Sequence, residues 1–65
     1  MFNIGDYVFS QRTGYFGKVI GYGHQMVKNS YETTLKVLVV EDKTSNKRGF
    51  VEEDLYSTWL QRYKD

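Results

Sequence analysis

From Thr33 to Glu41 the chain alternates: Leu35, Val37 and Val39 fall on one side of an extended segment, and Thr34 and Lys36 open the other. A period of two predicts a strand. Leu38 and Val40 finish the second side with apolar residues, so something is expected to cover both faces near the strand's end. Shorter runs of the same kind predict strands over Tyr7 to Ser10, with Val8 inward, over Gly17 to Met26, and over Arg48 to Val51. Polar stretches separate them: Gln11-Arg12-Thr13-Gly14, Lys28-Asn29-Ser30 and Asp42 to Asn46 all carry turn residues. Gly21 and Gly23 interrupt the second strand and predict coiling or a close approach of backbone. Glu52-Glu53-Asp54-Leu55 is expected to form a short helical turn that returns Leu55 to the core. Beyond it two readings stand. Ser57 caps a two-turn helix, Thr58 to Tyr63, whose Trp59, Leu60 and Tyr63 cover Leu38 and Val40. Alternatively, residues 56–63 form a last strand.

Composition narrows the architecture. The chain has 65 residues, no cysteine, no proline and one histidine, His24. A domain this small buries only about 60% of its unfolded surface and often needs a disulfide or zinc staple. Without cysteine, neither a disulfide nor a thiolate zinc site is available, so the fold must stand on its apolar core. Val, Leu, Ile and Phe make up about a quarter of the chain, above the ~20% below which disorder is expected. The fold class expected is all-β: a small, partly open barrel of four to five strands with a short C-terminal helix or strand, spanning residues 1–65 as one domain. The expected core is Ile4, Val8, Val19, Leu35, Val37, Val39, Phe50 and Leu55.

Charge and motifs exclude more than they assign. The net charge of +1 lacks the basic excess of a dedicated phosphate binder. No apolar run reaches the ~20 residues of a membrane span, and the N-terminus has no signal-peptide pattern; a cytoplasmic location is expected. His24 stands without a second ligand at metal spacing and is expected on a strand surface. Glu52-Glu53-Asp54 is expected to be solvated. Gly21-Tyr22-Gly23-His24 lacks the spacing of a phosphate loop. No nucleophile–base pair or metal set appears, so no catalysis, cofactor or metal is expected.

Gly5-Asp6-x-Val8 followed by Gly14-x-x-Gly17-Lys18-Val19-Ile20 resembles the start of small Src-homology-3-like barrels, whose KOW-type members share the Gly-x-x-Gly-x-Val element. A glycine opening the second strand would allow a tight turn and positive φ, and the valine after it would fill a narrow barrel. Leu35 to Val39 and Phe50 to Leu55 resemble the later strands and short turn of such barrels. The outline is also similar to the peripheral barrel subunit of photosystem I and to the variable chain of ferredoxin–thioredoxin reductase. Those families imply docking or scaffolding. The Ala-Leu-Tyr-Asp-Tyr signature of proline-peptide binders is missing.

Two function classes follow as expectations. The first is a non-catalytic protein-interaction module, a small accessory subunit or regulator, whose unidentified protein partner meets Arg12, Tyr15, Phe16, Lys18, Tyr22 and Tyr31. Tyrosine and phenylalanine at loop tips suit protein hot spots. The second is an RNA- or DNA-binding barrel using Arg12, Lys18, Lys28, Lys47 and Arg48, with Tyr22 stacking on bases. A weak homo-oligomer through a strand edge or Trp59 is a further expectation.

Overall fold

A computed structural model describes residues 1–41 and 49–62. The five strands are β1 (Tyr7–Ser10), β2 (Phe16–Val27), β3 (Ser30–Glu41), β4 (Phe50–Leu55) and β5 (Trp59–Arg62), with a 3-10 turn at Tyr56–Thr58 before β5. All are antiparallel in one sheet of order β4-β3-β2-β1-β5. The class is all-β, and no α-helix occurs among the described residues. The sheet curls yet stays open, with β4 and β5 as its two edges. Among the described residues no helix is long and apolar enough to cross a membrane.

The curl has a local cause. Register shifts between Phe16 and Gly17 and between Val19 and Gly21 break the β2–β3 ladder. Each such bulge bends its strand and increases the twist. The bent sheet wraps its inner face around Val8, Val19, Leu35, Val37 and Trp59, all at most 2% exposed, and Val39 is equally buried. Phe2 and Tyr56 close the open end, their ring centroids 4.9 Å apart. The Phe2 N–H donates to Tyr56 Oη, and Tyr22 Oη donates to the Phe2 carbonyl, both at 2.6 Å.

Gly17 is needed for proximity, whereas the positive φ expected there belongs to Gly14, at 80°. Gly17 sits inside β2, where a Cβ would run into the Leu38 carbonyl and the Val37 side chain. Lys28 and Asn29 form the two-residue β2–β3 turn, both with positive φ, the geometry that matches the twist of a hairpin.

Four expectations need correction. Ile4 is 60% exposed, because it rides the tip of the Asn3–Asp6 turn, closed by Asp6 N–H on the Asn3 carbonyl at 3.0 Å. Glu52 to Leu55 is strand, not a helical turn; alternation sends Glu52 and Asp54 to one side and Glu53 to the other. Residues 59–62 are strand, not helix, and Ser57 caps nothing. Trp59 at 2% and Leu60 at 49% exposure show the period of two. Leu38 and Val40 therefore gain no helical cover. The strand alternative is the one realised, over a shorter span. The expected loop at 42–46 and the expected start of β4 at Arg48 lie outside the described residues.

Trp59→Ala should unfold the domain. It removes a buried aromatic worth about 3–5 kcal/mol from a chain whose whole stability is on the order of 3–10 kcal/mol. Leu60→Ala, one residue on, should change stability by under ~0.5 kcal/mol. Equal losses by thermal denaturation would contradict the strand. Gly17→Ala should cost on the order of 1–3 kcal/mol through overpacking against backbone, read as a lower urea midpoint.

Candidate functional site

The β1–β2 loop, Gln11 to Tyr15, holds two of the expected partner-binding residues, and both are occupied with the fold. Ser10 Oγ accepts from the backbone N–H of Arg12 (3.2 Å) and Thr13 (3.1 Å), while Thr13 Oγ1 accepts from Tyr15 N–H (3.1 Å). So fastened, the loop lays Arg12 across β4. Its Nε donates to Asp54 Oδ2 at 2.7 Å and its Nη2 to Glu52 Oε2 at 3.1 Å. The Asp54 hydrogen bond and charge, with help from Glu52, push the guanidinium pKa further up. Tyr15 packs edge-on against Phe50, centroids 5.2 Å apart. Arg12 is thus a clamp between the first loop and an edge strand.

The carboxylate run 52–54 is split by that clamp. Glu52 and Asp54 serve Arg12, whereas Glu53 lies on the opposite face, accepting from Thr34 Oγ1 at 2.5 Å. Among the described residues no group of three or more His, Cys, Asp or Glu is placed to hold a metal ion. His24 is exposed on β2 opposite Thr33.

Phe16 and Lys18 belong to a different surface, the outer face of the sheet. Residues directly opposite in neighbouring strands share a face. The registers therefore set one row across all five strands: Val51 beside Leu38, Leu38 beside Lys18, Lys18 beside Tyr7, Tyr7 beside Arg62. A second row runs Phe16, Phe9, Leu60, with Val40 and Glu41 at its β3 end. Tyr7 and Phe16 stack nearly parallel, centroids 5.5 Å apart. Lys18 Nζ lies 5.6 Å from the Tyr7 ring, and the Arg62 guanidinium 5.7 Å from the Phe9 ring. Val40, Val51 and Leu60 are 41–54% exposed.

Tyr22 and Tyr31 are elsewhere. Tyr22 lines an open, largely apolar groove of about 860 Å³ with Phe2, Leu55 and Tyr56, and its hydroxyl is spent on Phe2. Tyr31, 75% exposed, sits near the β2–β3 turn beside Met26. Lys28 occupies that turn, ten residues along β2 from Lys18, about 33 Å at strand rise. Lys47 and Arg48 lie outside the described residues. The six expected partner-binding residues therefore fall into four places: the clamp, the outer face, the groove and the hairpin tip. Trp59, being buried, offers no oligomer contact.

Tyr7, Phe9, Leu60 and Arg62 were not among the candidates read from sequence. The signal was present in Tyr7-x-Phe9, which must face opposite Val8. Its significance emerges only when β5, read first as a possible helix, adds Leu60 and Arg62 to the same side.

Removing the clamp should loosen one end of the sheet. Arg12→Ala leaves two partly buried carboxylates facing each other without a cation, so the melting temperature should fall. Hydrogen exchange of the Gln11–Tyr15 amides should accelerate, and high salt should narrow the gap to the parent protein. Identical exchange in both proteins would refute the clamp.

No family model, curated protein or solved structure matches this chain.

Proposed function

We propose that the protein is a non-catalytic interaction module, a small accessory subunit or regulator, and that it docks through the outer face of its sheet. The observation that carries this reading is the pair of rows just described. Seven apolar side chains, Tyr7, Phe9, Phe16, Leu38, Val40, Val51 and Leu60, share one face of five strands, and three of them are about half exposed. Contiguous exposed apolar surface of this kind marks interaction sites rather than ordinary protein surface. The five antiparallel strands and the 3-10 turn before the last support a Src-homology-3-like assignment, with the docking role that this resemblance implies; the cytoplasmic setting rests on the absence of cysteine and of a signal-peptide pattern in the sequence.

Of the expected loop contacts, Tyr15 and Arg12 recede in this reading, since Tyr15 is packed on Phe50 and Arg12 is paired, whereas Phe16 stays as part of the outer face. The nucleic-acid alternative loses support for a similar reason. Of its five cations Arg12 is paired, while Lys18 lies within β2 and Lys28 in the distant β2–β3 turn.

Affinity capture from native lysate should test the face directly. The parent protein should retain one stoichiometric protein, and Val51→Glu with Leu60→Glu should lose it. Both positions are exposed, so the fold should survive, checked by circular dichroism. Tyr31→Ser, at the hairpin tip, should retain the partner. Capture unaffected by the face substitutions, or of nucleic acid alone, would overturn the proposal.

A further inference from the structure

The outer face carries a charge pattern that specifies its occupant further. Lys18 sits at the middle of the five-strand row and Arg62 at its β5 end. Each is held over an aromatic ring, and neither forms an ion pair with a described residue; the ion pairs among the described residues are both made by Arg12, with Glu52 and Asp54. Within these two rows one carboxylate, Glu41, stands at the β3 corner and lines a small cleft of about 70 Å³ with Phe9, Phe16 and Arg62; in the next row of the same face Glu53 lies opposite Lys36 and accepts from Thr34 Oγ1. The apolar rows are thus crossed by two cations with no acid between them.

We propose, building on the docking role above, that this face receives an amphipathic helix whose apolar stripe is flanked by carboxylates. Geometry favours a helix. Five strands at ~4.8 Å spacing make the row about 19 Å long. A helix rising 1.5 Å per residue covers that length in about 13 residues, three to four turns. Two rows one pleat apart give its stripe a matching width. A sheet face is ordinarily buried under a second layer, which the described residues do not supply. Charge selects the flanks: desolvating Lys18 without a partner is costly, whereas a helical Glu or Asp would pair with it. The central position of Lys18 argues against a lipid surface, where cations sit best at the rim and reach outward. A second copy of this face would bring like charges together.

Two synthetic helical peptides with the same apolar stripe, one flanked by Glu and one by Lys, test this against the intact protein. Titration followed by amide chemical shifts should show the acidic peptide binding at least about tenfold more tightly, the range of one or two charge pairs. Shifts should map to Tyr7, Lys18, Leu38, Val51 and Leu60. Lys18→Gln with Arg62→Gln should erase the preference while leaving weak apolar binding. Equal affinity for both peptides, no binding of either, or shifts confined to the Tyr22–Tyr56 groove would overturn the proposal. So would preferential binding of anionic phosphatidylserine vesicles or single-stranded RNA, or concentration-dependent self-association through the face. If capture in the lysate depends on Val51 and Leu60 but the acidic peptide fails, the docking face stands and the helical partner falls. If capture ignores those positions, both fall.

Discussion

Val8, Val19, Leu35, Val37 and Trp59 must bury one another with no second layer of secondary structure among the described residues to help them, and the rest of the molecule follows from that demand. A flat sheet would leave them half wet. The two bulges in the β2–β3 ladder, at Val40 and Ile20, bend the sheet until its inner face meets itself. Gly17 has no side chain because β3 backbone passes where a Cβ would stand. The ends of the curl are sealed by whatever chain lies nearest: Phe2 with Tyr56 at one end, and Tyr15 with Phe50 at the other. Arg12 then ties the first loop to an edge strand through two carboxylates. Each is a short-range device that substitutes for a missing layer.

Much of this was legible in the residues because burial and alternation coincide there. Val8 between Tyr7 and Phe9, and Leu35, Val37 and Val39 at every second place, announce both the strand and its inner side. Burial inside the sheet matches that reading at Val19 as well. The errors arose where two periods fit equally well. Trp59, Leu60 and Tyr63 satisfy helical spacing, yet Trp59 and Leu60 also satisfy a strand, and only the pairing of β5 with β1 decides. Glu52-Glu53-Asp54 looks like solvated turn chemistry until Arg12, forty residues away, claims alternate members. Ile4 is apolar and near the core in sequence, but a tight turn turns it outward. Long-range partners decided each of these cases, and no local window contains them.

The candidate site was less legible than the fold. Aromatic and basic residues were grouped by their nearness along the chain, whereas function on a sheet is grouped across strands. Lys18 gained its neighbours from β1 and β3, not from Gly17 and Val19. The outer face became visible once the four registers of the sheet were laid side by side. Curling one face inward to make a core stretches the other outward, so the surface offered to partners is a by-product of how the core is made.

The pairing of β1 with both β2 and β5 also has a temporal side. Tyr7 finds Lys18 soon after synthesis, but Arg62 emerges far later. Contacts of such separation are slow to form, since the entropy of closing the intervening chain is lost before anything is gained. Until β5 arrives, Val8 and Ser10 have an empty flank and the inner face lacks its largest side chain. The lone tryptophan of the chain is therefore delivered last, and its passage from water into the core makes it a built-in optical clock for the closing step of folding.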